Sequence, residues 1–221
     1  NPKMSDAELE QVAVREYNAA AQRFLVMSLK TVQQLRPESA GVGYYGYPAH
    51  QYWPTSPTAS ELNDLQMAVL AASSALFPSI YLPYKSGADQ PLTRNRQYVS
   101  AAMNETMRVR SKLSASLPIL PYSWYRYHDG EPHGLELLTD EDSALEFVEP
   151  FGMADLAGVI VWGNEETSAD AHETTTYFDQ HAKMFEQPGR RTSWSQLPAA
   201  NEAEGSGDGE AEAGPIMPVD P

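Results

Sequence analysis

The chain has 221 residues, a net charge of −15 and no cysteine, and 42% of its residues are hydrophobic. This length is sufficient for one large domain, and the missing cysteines exclude disulfides, thiolate nucleophiles and cysteine-based zinc sites. No apolar run approaches the roughly 20 residues that a membrane-spanning helix needs. A strongly negative chain also repels phosphate backbones. We therefore expect a globular protein that binds neither nucleic acid nor membrane.

A long amphipathic helix is predicted at the start of the chain. Ser5 and Glu8 form a capping-box pattern, and the helical spacing continues up to Arg36-Pro37. Asn1 leads straight into this polar pattern, so no signal peptide is expected in the chain. The apolar and small residues that recur along the predicted helix are Ala13, Tyr17, Ala20, Phe24, Met27, Thr31 and Leu35.

Four short apolar runs follow, and helical patterns separate them. Strands are predicted at about 41–47, 77–82, 117–124 and 157–162, with helices at about 61–75, 93–113, 139–151 and 168–186. This alternation favours an α/β fold with a parallel sheet covered by helices. About four βα units after one helix correspond to a partial (β/α) TIM-like barrel or to a small open sheet. No glycine-rich phosphate loop follows any strand, which argues against a nucleotide site.

The last part of the chain differs in composition from the rest. Residues 191–221 consist mainly of Gly, Glu, Ala and Pro and have very few large apolar side chains to bury. Such a segment does not supply the burial that offsets its conformational entropy. We predict a disordered acidic tail at 191–221, after a folded region at 1–190.

Aromatic side chains stand at or near the end of every predicted strand. The carboxyl ends of parallel strands gather at one face of a sheet, where ligands bind. Repeated rings at that face predict a flat cleft of the kind that a sugar occupies, although each ring could instead cap the core with its polar edge in water. The residues concerned are Tyr45, Tyr47, Tyr81, Tyr122, Trp124 and Trp162.

Two acidic pairs follow predicted strands closely enough to reach such a cleft. Glu165 and Glu166 follow the fourth strand, and Asp129 and Glu131 follow the third. A glycosidase needs a carboxylic acid there, but acids also favour helix N-termini and turn loops. Most other acids between 126 and 183 are interpreted as a solvated surface. The five histidines show no metal-ligand spacing, so neither a metal nor another cofactor is expected.

Six motifs occur in a fixed order along the chain. They are GYYGYP at 43–48, Asn63-Asp64, FPSIYLP at 77–83, Glu105-x-x-Arg108, LPY at 120–122 and AGVIVWG at 157–163. This ordered set resembles the animal hyaluronidases of sperm, lysosomes and venoms over roughly residues 1–188. The resemblance implies that residues 1–190 are the C-terminal part of a distorted (β/α) catalytic barrel, with the N-terminal strands missing.

The same resemblance implies an activity and a set of site residues. The family hydrolyses β-1,4 N-acetylhexosaminide bonds in hyaluronan or chondroitin with retention, using the N-acetyl group of the substrate as nucleophile. Tyr45 and Tyr81 match active-site tyrosines that position this acetamido group, and Trp162 matches an active-site tryptophan. The implied partner is a glycosaminoglycan or another N-acetylhexosamine polysaccharide, and the implied location is secreted or lysosomal. Further substrate contacts are expected from Tyr47, Tyr122 and Trp124.

The chain also departs from the family pattern. The family's general acid lies in an Asp-x-Glu motif at the end of a strand before the long helix, and no residue of this chain stands at that position. His50 occupies the place where a cysteine normally follows the Tyr-Pro motif. We therefore expect this segment alone to be inactive. Two alternatives are a non-catalytic sugar-binding module and an inactive fragment, because half a barrel exposes sheet edges.

Overall fold

A computed structural model describes residues 4–37, 41–50, 58–87, 92–128, 135–163 and 168–185. None of the helices in these ranges is both long and apolar enough to cross a membrane. The predicted tail at 191–221 lies outside the described residues. The elements, in chain order, are α1 (Asp6–Leu35), α2 (Ala59–Leu65), α3 (Met67–Ala72), α4 (Leu92–Leu113), β1 (Tyr122–Trp124), α5 (Asp140–Phe147), α6 (Pro150–Met153), β2 (Ile160–Trp162) and α7 (Ser168–Phe185).

The helix predictions are confirmed, with two subdivisions. The predicted helix at 61–75 is two helices that meet at Gln66, and the one at 139–151 is α5 followed by α6. Pro150 starts α6, at a position where a backbone N–H would have no intrahelical partner. Thr139 caps α5 by accepting a hydrogen bond from the Asp142 N–H at 3.2 Å. Ser5 and Glu8 form the predicted capping box of α1.

The prediction of four continuous strands is wrong, because the described residues contain two strands of three residues each. These two, β1 and β2, pair in parallel as expected. Proline explains much of the difference, since it has no N–H to donate to a ladder. Pro78, Pro118 and Pro121 still accept hydrogen bonds through their carbonyl oxygens. The second and third runs are therefore joined only by isolated parallel bridges, Leu76 to Ile119 and Ser79 to Tyr122.

Helix α1 presents its apolar positions to solvent rather than to the core. Its buried residues are Asn18 and Leu29, and Gln33 donates a hydrogen bond to the Ala72 carbonyl oxygen at 2.8 Å. The apolar face inferred from the sequence is thus real but uncovered. An uncovered stripe of this kind promotes association. Its most exposed members, at 66–73% of their surface, are Tyr17, Phe24, Met27 and Leu35.

The main core lies between α4, α5 and the strand-like segments. Val99 and Met103 of α4 pack there with Leu145 of α5, Ile80 and Ile119, and each is fully buried. A smaller cluster of Leu70, Leu76 and Val109 joins α3 to α4. Together these clusters fix α4 behind the strand-like segments.

Two of the sequence motifs form a polar clamp between α2 and α4. Arg108 donates two hydrogen bonds to Glu105, at 2.7 and 2.8 Å, and pairs with Asp64 at 2.9 Å. The buried Asn63 donates to Glu105 at 2.7 Å and exchanges two hydrogen bonds with the Ala49 backbone. This network anchors the segment that follows the first aromatic motif. The Asn63-Asp64 and Glu105-x-x-Arg108 motifs therefore join α2, α4 and the Ala49 backbone.

Gly43 is expected to tolerate no side chain. A Cβ at this position would lie 2.6 Å from two ring atoms of Phe77 and 3.0 Å from the Ala75 carbonyl oxygen. We expect Gly43→Ala to lower the free energy of unfolding by about 1–3 kcal/mol, the usual cost of overpacking. Urea denaturation followed by circular dichroism measures this change. Gly87→Ala is the matched control, because its Cβ would meet no atom within 4 Å; equal effects at both positions would refute the steric argument.

Candidate active site

Five of the six predicted aromatic site residues form one cluster of rings. The Tyr45 ring centroid lies 5.8 Å from that of Tyr81 and 5.0 Å from that of Tyr122. The Tyr81 centroid lies 6.0 Å from that of Trp124 and 6.2 Å from that of Trp162. The two indole rings are 5.0 Å apart. Residues separated by more than one hundred positions in sequence therefore meet at one place.

The short sheet positions these rings. In the register of β1 and β2, Trp124 stands opposite Trp162 at the end of both strands. Tyr122 and Trp124 are two residues apart, so they project from the same face of β1. The bridge between Ser79 and Tyr122 places the neighbouring segment, which carries Tyr81, alongside. The cluster thus lies at the carboxyl end of parallel strands, as predicted.

The five rings of the cluster comprise two open rings, two covered ones and the half-buried Tyr122. Tyr45 is 46% exposed and Trp162 is 40% exposed, whereas Tyr81 and Trp124 are 7% and 6% exposed. The Tyr45 hydroxyl lies 3.2 Å from the Ser79 hydroxyl. A flat ligand would therefore meet Tyr45 and Trp162 first, with Tyr81 behind them.

Tyr47 is placed apart from this cluster. It packs against Leu70, Leu76 and Val109 in the smaller core, and its ring lies 6.2 Å from that of Tyr44. Burial raises the pKa of its phenol. Its predicted contact with substrate stays a prediction, whereas its observed contacts are those of a core residue.

Burial controls the ionisation of the groups around the rings. Burial, and next the neighbouring Tyr45, raise the pKa of Tyr81, so its hydroxyl stays protonated and able to donate. Burial lowers the pKa of His50 to about 4, so this ring, 4.7 Å from that of Tyr98, is neutral near pH 7. The His128 ring stacks at 5.9 Å on Tyr81, a neighbour that sequence reasoning missed. Among the described residues, no group of histidines and acids could hold a metal ion.

The interpretation of the acidic stretch as solvated surface is wrong for two residues of α5. Asp142 and Glu146 are both fully buried. Asp142 accepts hydrogen bonds from the Ser86 hydroxyl at 2.6 Å and the Tyr127 hydroxyl at 2.5 Å. Glu146 accepts one from the Trp124 backbone N–H at 2.6 Å. The available sequence signal was their spacing of four, with Leu145, on the face of α5 that packs inward.

The candidate acids predicted at strand ends cannot be placed. Asp129, Glu131, Glu165 and Glu166 all lie outside the described residues. Asp6 and Glu8 form a literal Asp-x-Glu, but Glu8 is used in the capping box, where it accepts from the Ser5 N–H at 2.7 Å. These two acids begin a helix and do not end a strand.

Rings gathered at the end of a short parallel sheet, in a helix-rich α/β fold, define the class: an α/β protein with an aromatic candidate binding site. The family model described as hyaluronidase matches residues 1–185. The chain therefore belongs to the hyaluronidase family.

Individual relatives agree with this assignment. The chain is 28% identical to a hyaluronidase of Apis mellifera over 75% of its length, and 30% identical to hyaluronidase conohyal-ad1 of Conus adamsonii over 77%. A hyaluronidase of Crotalus adamanteus is 30% identical over 74%. The chain spans 43%, 46% and 37% of the lengths of these three relatives, respectively.

Solved structures show the same fold. The crystal structure of bee venom hyaluronidase superposes with a TM-score of 0.68 at 24% identity, covering 81% of this chain and 58% of that one. The bee protein in complex with a hyaluronic acid tetramer gives the same score and covers 56% of that chain. At this identity the likeness shows the fold of the matched part.

Proposed function

We propose that this chain forms one wall of the substrate cleft of an endo-β-N-acetylhexosaminidase that acts on hyaluronan or chondroitin. The observation that carries the proposal is the five-ring cluster at the carboxyl ends of parallel strands, with Tyr45 and Trp162 open to solvent. In the proposed architecture, the described strands and helices belong to a partial (β/α) barrel. The binding of a hyaluronic acid tetramer by the bee protein of similar fold supports the choice of substrate.

The proposed reaction follows the substrate-assisted retaining route. The acetamido carbonyl oxygen of the substrate attacks the anomeric carbon as the glycosidic oxygen leaves, and water then opens the cyclic intermediate with net retention. Tyr81 and Tyr45 would hold the acetamido group, with the neutral Tyr81 hydroxyl as hydrogen-bond donor. Its raised pKa supports this role, because a phenolate could only accept. Trp162 would lie against a sugar ring, beside Trp124 and Tyr122.

We propose that the remaining task of this reaction, protonation of the leaving oxygen, falls to a group outside this chain. A general acid must lie within hydrogen-bond reach of that oxygen. In the proposed mechanism the acid belongs to an Asp-x-Glu strand end outside this segment, so the 221 residues alone do not turn over.

A sugar-binding module without catalysis is the second candidate. Two observations on the described residues favour it. All five rings of the cluster are among them, and Glu146, the carboxyl that accepts a hydrogen bond from the Trp124 N–H, is fully buried. Such a module would bind oligosaccharide without hydrolysing it. Activity measurements therefore separate the two candidates, whereas binding is expected for both.

Binding should depend on Trp162. We expect Trp162→Ala to weaken the binding of hyaluronan oligosaccharides on the order of tenfold, because a stacked ring contributes roughly 1 kcal/mol beyond its area. Isothermal titration calorimetry with hyaluronan and chitin tetrasaccharides measures the affinity. Phe24→Ala on α1 is the control, since that ring is also exposed but lies outside the cluster. Unchanged affinity in Trp162→Ala, or equal losses in both variants, would contradict the proposed cleft.

The charge of the chain bears on its working conditions. A net charge of −15 opposes a polyanionic substrate, whereas a protein that binds one normally attracts it with basic groups. Acidic pH reduces both negative charges. We propose that the protein acts under acidic conditions or on a less charged N-acetylhexosamine polymer, in a secreted or lysosomal setting.

A further inference from the structure

A buried carboxyl lies directly behind the ring cluster. Glu146 of α5 has no exposed surface, and its Oε1 accepts a hydrogen bond from the Trp124 N–H at 2.6 Å. A weaker backbone hydrogen bond reaches the same carboxyl from Leu82, the residue after Tyr81. Its Oε2 has no hydrogen-bond partner among the described residues. One side chain thus contacts the backbone of both segments that carry the covered rings.

We propose that Glu146 is a positioning residue of this site: its buried carboxyl holds the backbone at Leu82 and Trp124 and thereby fixes the Tyr81 and Trp124 rings against Trp162. This positioning role rests on the proposed function only for the identity of the ligand. Glu146 is buried away from any substrate, so it acts through the rings and takes no part in proton transfer. The ring-centroid distances that it would maintain are 6.0 Å between Tyr81 and Trp124 and 5.0 Å between Trp124 and Trp162.

The surroundings of Glu146 favour its uncharged form. Burial raises its pKa well above the usual value, outweighing the two backbone hydrogen bonds, and the Asp142 carboxylate on the same helix raises it further. The phenols near it are those of Tyr81, Tyr98 of α4 and Tyr177 of α7, and the charge of an ionised Glu146 would raise the pKa of each. Within the described residues, no lysine, arginine or histidine forms an ion pair with Glu146. A charge there would therefore be buried and uncompensated.

The sign of the pH effect follows from this raised pKa. The carboxyl is uncharged in the folded protein up to its raised pKa and becomes charged above it. Ionisation would place an uncompensated charge in the core, and the cost of that charge favours a state in which α5 moves away from the rings and water reaches the carboxylate. The ring cluster is thus ordered at acidic pH and loses order as the pH rises through the folded-state pKa of Glu146.

Two substitutions separate this role from simple packing. Glu146→Gln keeps the shape and a carbonyl acceptor for the Trp124 N–H but cannot ionise. Glu146→Leu keeps the volume and removes the acceptor. Glu141→Gln is the matched control, because it makes the same chemical change on the exposed side of α5.

The first measurement needs no ligand. The near-ultraviolet circular dichroism of the full chain, which reports the packing of aromatic rings, is recorded from pH 4 to pH 9. We expect the wild type and Glu141→Gln to lose signal with a midpoint above the ordinary glutamate value of about 4.3, and Glu146→Gln to keep it. A wild-type signal that is constant over this range, or an unchanged transition in Glu146→Gln, would overturn the proposal. The wild-type titration needs no variant, so it tests the proposal even if a variant does not fold.

The second measurement adds a hyaluronan tetrasaccharide as probe. We expect the wild-type dissociation constant to rise about tenfold for each pH unit above the pKa of Glu146, and that of Glu146→Gln to stay constant. Glu146→Leu should bind weakly even at pH 5. If no variant binds the probe but the dichroism behaves as expected, the proposed function fails and the role of Glu146 stands. If the probe binds with the same pH dependence in the wild type and Glu146→Gln, the role of Glu146 fails and the proposed function stands.

Discussion

The purified 221-residue chain is expected to release no measurable reducing ends from hyaluronan under conditions in which a full-length relative, such as the Apis mellifera hyaluronidase, is active. The physical reason is that the proposed mechanism places the proton donor outside this chain, since general acid catalysis typically contributes about 10²–10⁴ in rate. Positioning by Tyr45, Tyr81 and Trp162 cannot replace a proton on the leaving oxygen. Turbidimetric and reducing-end assays at pH 4–7 measure the rate.

Addition of the upstream half of a relative provides the sharper test. Co-expression with the upstream half of a relative, which the family resemblance implies to carry the Asp-x-Glu strand end, should restore turnover if the two parts associate. The same half with its glutamate changed to glutamine is the matched control and should restore none. Turnover by the isolated chain within tenfold of a full-length relative would contradict the prediction. Glu165→Gln and Glu166→Gln would then show whether either residue is the unrecognised acid.

The helices could be predicted from sequence because their signals are local. The capping box at Ser5 and Glu8 and the apolar spacing after it define α1 without reference to the rest of the molecule. Which face is covered is a tertiary property, so Phe24 and Met27 turned out to be exposed. The prediction of four continuous strands was wrong for a related reason. Apolar β-branched and aromatic runs predict extended backbone, but the prolines within them prevent continuous pairing.

The clustering of the five rings could also be predicted, since each ring was expected at or near the end of an apolar run. Trp124 stands opposite Trp162 as a direct result of the parallel register of β1 and β2. Asp142 and Glu146 could not be recognised as buried, because they resemble ordinary surface acids in an acidic stretch of chain. Their burial depends on partners 56 and 22 residues away, Ser86 and Trp124. Sequence reasoning thus found the five rings that cluster but missed the two carboxyls of α5 that are buried.

The largest effect on stability is expected at Asp142. Its buried carboxylate accepts hydrogen bonds from the Ser86 N–H at 3.0 Å and from the Asn95 amide and the Thr139 hydroxyl at the same distance, in addition to the Ser86 and Tyr127 hydroxyls. Asp142→Ala removes both carboxylate oxygens that accept these hydrogen bonds and leaves several buried donors unpaired. We expect the free energy of unfolding to fall by about 3–5 kcal/mol, which is a large part of a typical total.

Urea denaturation at pH 7, followed by far-ultraviolet circular dichroism, measures this loss. Glu141→Ala, at the exposed neighbouring position, is the control and should change stability by less than about 0.5 kcal/mol. A loss below about 1 kcal/mol for Asp142→Ala would show that water replaces the carboxylate and that the network contributes little.

The pH dependence of stability gives an independent check on Asp142. Burial alone would raise its pKa, but hydrogen bonds from Ser86, Tyr127 and Asn95 outweigh burial and lower it. A lowered folded-state pKa means that the stabilisation is present above the unfolded value of about 3.9 and is lost as the pH falls through the folded-state pKa. Glu146 has the opposite sign, because stability is lost as the pH rises from about 4.3 towards its raised pKa. The two buried carboxyls of α5 together predict greatest stability in a mildly acidic window, and Glu146→Gln should extend that window upward while leaving its acidic limit unchanged.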